Sequence, residues 1–198
     1  MTSADLTRYR FRGAIRGAVG FTAGFAVALG IMMLIQHVYA EAMASRLSGP
    51  IVNVTVPVTL GLVAIPVAMA VAGLIGAWVL AGSRAGAKGA LGFLIGGAIG
   101  CPFSEVVLAE SAVGFAILGL LAGAIGGGLA VGWRSVWRGA VGFGLGLALW
   151  GAIGGPIMFI IAGTIGGGLL GTASAGGSRK AAPALSTTAP SGGGETPG

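Results

Sequence analysis

Arg16-Gly17-Ala18-Val19-Gly20-Phe21 stands at the head of an apolar run, and its pattern returns twice, as Lys88-Gly89-Ala90-Leu91-Gly92-Phe93 and Arg138-Gly139-Ala140-Val141-Gly142-Phe143. A second pattern, Ala-Gly-x-Ile-Gly, occupies Ala72 to Gly76, Ala122 to Gly126 and Ala162 to Gly166, each in the apolar run that follows. Gly97-Ala98-Ile99-Gly100-Cys101-Pro102 is echoed by Gly151-Ala152-Ile153-Gly154-Gly155-Pro156. Gly, Ala and Ile are abundant here, so a single match carries little weight. The basic residue and the phenylalanine are rarer and stay in register, which reads as an internal repeat. The implied unit is a helical hairpin, present three times and inserted the same way round. Such parallel repeats imply pseudo-symmetry about an axis along the membrane normal.

The runs around these motifs have the length of membrane spans. A helix needs about 20 predominantly apolar residues to cross the hydrocarbon core, and six stretches qualify or nearly do: 17–35, 56–80, 88–108, 112–131, 137–154 and 157–173. Pro66 falls near the centre of the second and predicts a kink there. The third reaches Leu108 only if Pro102 bends it without ending it. The last two are the shortest. Their apolar runs, Gly139 to Gly154 and Ile157 to Thr172, are sixteen residues each and cover only about 24 Å at 1.5 Å per residue, so either Trp133 to Arg138 lengthens the fifth span, its arginines snorkelling, or the pair forms a re-entrant hairpin. Of the 198 residues, 55% are apolar and 8% charged, against roughly 25% charged in an ordinary soluble domain. Mean hydropathy is +0.96. The predicted fold is therefore an all-α integral membrane protein, a six-transmembrane-helix bundle of three parallel hairpin repeats with glycine-zipper packing. Residues 1–12 form a short amino-terminal segment, 13–173 the membrane domain, and 174–198 a Gly-, Ser- and Pro-rich tail predicted to be disordered.

Charge placement sets the orientation. Arg8, Arg10, Arg12 and Arg16, then Arg84 and Lys88, Arg134 and Arg138, and Arg179 and Lys180 all fall on one side of this topology, with Arg46 alone on the other beside Glu41, Glu105 and Glu110. Short basic loops stay inside, so both termini are predicted to be cytoplasmic, in a cell (inner) membrane. Trp78, Trp133, Trp137 and Trp150 lie near span ends, as interfacial anchors do. Residues 1–42 also fit a signal peptide, with small residues at Ala40 and Ala42; cleavage there would leave five spans. The repeat argues for retention, because the counterparts of the first span are interior to the chain.

Glycine spacing predicts close helix association. Gly92, Gly96 and Gly100 are four apart, as are Gly119, Gly123 and Gly127, and Gly163, Gly167 and Gly171. Residues four apart share a helix face, and a face without side chains lets backbones approach where lipid supplies no hydrophobic drive. The spacing does not say whether the partner helices belong to this chain, to a second copy or to another membrane subunit.

The polar inventory is sparse. Ionisable groups inside a membrane are functional by default, yet no predicted span has one at its centre, which argues against ion-coupled transport. The candidates lie at the outer edge: His37 and Glu41, four apart on a continuing helix, and Glu105 in the apolar stretch Pro102 to Leu108. Interfacial solvation accounts for His37 and Glu41, and a surface loop for Glu105; burial of Glu105 would instead raise its pKa and call for a partner. Asn53-Val54-Thr55 matches a glycosylation sequon in a segment that reads as the lead-in to Pro57. One cysteine, Cys101, excludes an internal disulfide and a cysteine metal cluster. No phosphate loop, nucleophile–base pair or paired-acid arrangement occurs, so no catalytic, cofactor or metal site is expected. The net charge of +6 is dispersed between apolar runs, which excludes nucleic acid as a partner. Two readings remain: a structural or assembly bundle without chemistry, or a small channel or transporter with a pathway between the three hairpins.

Overall fold

A computed structural model describes residues 3–44, 58–104 and 111–174. Six helices account for nearly all of them: α1 (Ser3–Ala44), α2 (Val58–Ala81), α3 (Ser83–Pro102), α4 (Ala112–Val131), α5 (Val136–Ile153) and α6 (Pro156–Ser174), with a 3-10 turn at Trp133–Ser135 leading into α5. Five of these, the 3-10 turn counted with α5, are long and apolar enough to cross a membrane, and the chain is a multi-pass membrane protein. The exception is α3. Gly86, Gly89, Gly92, Gly96, Gly97 and Gly100 contribute little hydropathy, and Arg84 and Lys88 occupy its first turns.

The helices close into a ring. Each packs against its neighbours in sequence, and α6 returns to pack against α1, while α2, α4 and α6 also approach one another across the middle. Residue size is distributed as lipid solvent demands. The faces where helix meets helix are mostly glycine and alanine, Phe21, Phe25, Phe93 and Phe143 fill the interior, and Val63, Leu91, Ile99, Val113, Leu145 and Ile153 point outward. In hydrocarbon, apolar side chains gain little by burial and close backbone packing holds helices together.

The turns at the arginine-bearing end are very short. Gly82 alone joins α2 to α3 at φ 89°, and Gly132, at φ 117°, opens the 3-10 turn between α4 and α5. Both lie in backbone regions that side chains enter only at a cost. Ser135 is buried and its Oγ donates to the carbonyls of Gly132 (2.6 Å) and Gly127 (2.8 Å), fixing that turn. At the opposite end Gly154 and Gly155 turn α5 into α6, and Ser111 caps α4 by accepting from Gly114 N at 3.2 Å.

Several expectations shift. α1 runs for 42 residues rather than the 19 of its apolar centre, about 63 Å at 1.5 Å per residue, because no proline interrupts it before Pro50. α2 continues through Pro66, where a Cβ on Gly97 of α3 would lie 3.2 Å from the proline Cα. α3 begins at Ser83 rather than Lys88, and the predicted continuation from Glu105 to Leu108 lies outside the described residues. Trp133 to Arg138 does lengthen the fifth element. α5 then lies along the whole of α4, Gly139 facing Gly123 near one end and Gly151 facing Ala112 near the other. Trp150 is turned inward, its ring 4.5 Å from that of Phe115 and 4.9 Å from that of Phe159, and is not an interfacial anchor. Residues 175–198, the segment holding Arg46 and Asn53, and Glu110 lie outside the described residues.

Candidate functional site

The phenylalanines of the three recurring motifs meet on the axis of the ring. Phe21 lies 5.5 Å from Phe93 and 5.0 Å from Phe143, and Phe93 lies 4.9 Å from Phe143, centroid to centroid. All three are completely buried. Their tilted and edge-on geometry is the favourable one for aromatic pairs. Each ring rests on a glycine of the following helix: Phe21 on Gly76, Phe93 on Gly126 and Phe143 on Gly166. Those glycines are the last residues of the three Ala-Gly-x-Ile-Gly segments. Phe25 stacks on Phe143 at 5.8 Å and meets Phe159 at 4.8 Å, and Trp150 and Phe115 follow. Aromatic rings thus fill the middle of the ring from the phenylalanine triangle towards the far end.

The nine glycines picked out by spacing all face other helices of the same chain. On α3, a Cβ on Gly92, Gly96 or Gly100 would stand 2.6, 2.5 or 2.8 Å from the Cα of Gly126, Ala122 or Leu118 of α4. On α4, Gly119 abuts the carbonyl of Phe143 and Gly123 that of Gly139, while a Cβ on Gly127 would come 2.9 Å from Leu170 Cδ1. On α6, Gly163 faces Phe21 and Phe25, Gly167 the carbonyl of Gly17, and Gly171 that of Gly13. At contacts this close the facing atoms are mostly backbone, which cannot step aside.

The contacts of Gly92 and Gly96 recur on the other odd helices, at glycines that were not among the nine. Gly20, Gly92 and Gly142 meet Gly76, Gly126 and Gly166, and one turn on Gly24, Gly96 and Gly146 meet Ala72, Ala122 and Ala162. Gly17, Gly89 and Gly139 face the preceding even helix instead. The six-residue motif itself carried this signal, since its two glycines, three apart, point to two different neighbours.

The polar candidates behave differently. His37 Nε2 and Glu41 Oε1 are 3.2 Å apart on α1, each with 70% of its side chain exposed. This is an exposed pair of little energetic weight. Glu105 lies outside the described residues. Among the described residues no group of His, Cys, Asp or Glu could hold a metal ion, and no buried side-chain polar atom lacks a hydrogen-bond partner. Cys101 is buried with its thiol 3.8 Å from the Gly61 carbonyl, and buried Ser104 donates to the Cys101 carbonyl at 2.9 Å.

Two polar features had no signal in spacing. Thr22 Oγ1 of α1 and Thr164 Oγ1 of α6 lie 2.7 Å apart within the ring, and each hydroxyl also reaches a carbonyl four residues back in its own helix. At the arginine-bearing end, Arg10, Arg134, Arg138, Trp133 and Thr172 line a cavity of about 380 Å³. No family model, curated protein or solved structure matches this chain.

Proposed function

We propose that this chain is a structural or assembly component of the membrane: three helical hairpins related by pseudo-threefold symmetry, packed through Gly-xxx-Gly faces and carrying no catalytic chemistry. The observation that carries the proposal is the triangle of Phe21, Phe93 and Phe143, each ring seated on a glycine of the next helix. One sequence motif used three times makes the same contact three times around one axis. It fills with aromatic rings the place where a three-hairpin transporter would keep its pathway. The nine spaced glycines are spent within the chain, so a homo-oligomer or a complex with another membrane subunit would form through the outer aliphatic faces. The orientation that fits the basic residues places the arginine-bearing end, and both termini, in the cytoplasm. All six helices then cross, α3 included, because it lies against α4 from Gly92 to Gly100.

Native mass spectrometry of the full chain in mild detergent tests the proposal. A stoichiometric foreign membrane subunit supports an assembly role. A lone chain or homo-oligomer that passes ions or small solutes in liposomes contradicts it and favours the second reading, a channel along the pseudo-threefold axis. That reading has one observation on its side, the arrangement of three hairpins about a single axis, and it requires the phenylalanines to swing away.

A further inference from the structure

The cavity at the arginine-bearing end is assembled from three separate parts of the chain. Arg10 comes from α1, Arg134 and Arg138 from the turn and first helical residues of α5, and Thr172 from the last turn of α6. Its volume of about 380 Å³ lies within the usual range of small-ligand sites. The backbone that carries two of the arginines is fixed by the fold. Gly132, at φ 117°, and the two hydrogen bonds of buried Ser135 fix the turn, so Arg134 and Arg138, four residues apart, both reach the cavity. Arg138 Nη1 donates to Thr172 Oγ1 at 3.1 Å, and its guanidinium carbon stands 5.4 Å from the centroid of the Trp137 ring. Among the described residues no carboxylate lines the cavity. Arginines from three segments lining one cavity favour an anion there.

We infer that this cavity binds a phosphate group, and that the phosphate is the headgroup of an anionic phospholipid. Guanidinium forks match phosphate oxygens in two-point hydrogen bonds, and basic pockets between membrane helices bind acidic headgroups. The surroundings point to lipid as the source. Trp133 lines the cavity with 84% of its surface exposed, and Trp137 beside it is 61% exposed, where indole rings sit at headgroup level with acyl chains alongside. A headgroup there would join α1, α5 and α6 at the one place in the ring where consecutive helices are not linked by the chain.

The test is native mass spectrometry of the full chain titrated with phosphatidylglycerol or phosphatidylcholine, alone and against inorganic phosphate. Wild-type protein should retain phosphatidylglycerol in preference to phosphatidylcholine. Through the loss of three charge-assisted contacts to the phosphate, Arg10→Gln/Arg134→Gln/Arg138→Gln should weaken retention about a hundredfold. Arg84→Gln/Lys88→Gln, at the same end but outside the cavity, should retain lipid as wild type does. Equal retention by the triple variant overturns the site, and so does equal loss in the control, which would mean general surface charge. Phosphatidylglycerol that inorganic phosphate cannot displace supports the lipid as source; ready displacement by phosphate overturns that part and assigns the site to free phosphate. A matching unfolding temperature in neutral detergent shows that each variant is folded.

Discussion

Two of the interfaces between successive hairpins are bridged by a few residues, and the third is not bridged at all. Where α2 meets α3 across Gly82, Gly73 faces Gly89; where α4 meets α5 across Gly132, the equivalent Gly123 faces the equivalent Gly139. At the open seam between α6 and α1, the sequence equivalent of Gly123 is Gly163, yet Gly167 faces Gly17. The seam is displaced by four residues, one helical turn. Within all three hairpins the register is the same, with Phe21, Phe93 and Phe143 on Gly76, Gly126 and Gly166. A short turn leaves two helices no freedom to slide, whereas helices without a linker settle wherever small residues allow the backbones to close. The same seam holds the Thr22–Thr164 hydrogen bond, at positions occupied by Leu94 and Gly144 in α3 and α5 and by Leu74 and Ala124 in α2 and α4.

The contrast can be broken in graded steps. The largest effect should come from the axis, which both kinds of interface share: Phe143→Ala removes contacts with Phe21, Phe25 and Phe93 at once and should cost about 3–5 kcal/mol, read from unfolding in detergent. Overpacking a bridged interface comes next. Gly123→Val drives a side chain into the Gly139 carbonyl and should cost about 1–3 kcal/mol, whereas Gly167→Val at the seam should cost less, because no linker holds α6 to α1. A larger loss at the seam than at the bridge would refute the role given to the linkers. Gly132→Ala, at φ 117°, should cost about 1–3 kcal/mol from backbone strain alone. The smallest effect belongs to Thr22→Val, about 0.6 kcal/mol, the mean for hydrogen bonds between membrane helices. Topology is checked separately in Cys101→Ser protein by single cysteines at Ser48 and Ser83 in intact cells. Labelling at Ser48 alone is expected, and labelling at Ser83 alone would reverse the orientation.

Much of this architecture was legible in the chain. Apolar runs bounded by arginines located the helices, and the shared motif singled out the phenylalanines that meet on the axis. The length of α1 was hidden because hydropathy reports the membrane-facing part of a helix, and Ser3 to Gly13 and Gln36 to Ala44 are polar or mixed. The end of α3 was left open at Pro102 and its glycines dilute its hydropathy, while α5 and α6, read as short, are the more apolar. Gly-xxx-Gly spacing marks a face but carries no label for its partner, so the pairing of α6 with α1 could not be read. The cavity was invisible for a related reason: Arg10 and Arg134 are brought together only by closure of the ring. Glu105 lies outside the described residues.

Ring closure is the central claim, and a disulfide across the seam tests it most directly. A Cβ on Gly168 would lie 3.9 Å from the Ala18 Cβ, close to the mean of about 3.8 Å in disulfides. In Cys101→Ser protein oxidised in membranes, Ala18→Cys/Gly168→Cys should cross-link within one chain, at monomer mass, as readily as the α2–α3 control Met69→Cys/Gly97→Cys, whose Cβ positions are 3.5 Å apart. Cross-linking of the control without the seam, or a seam disulfide found only between two chains, would mean that α6 does not return to its own α1 and that the ring is open.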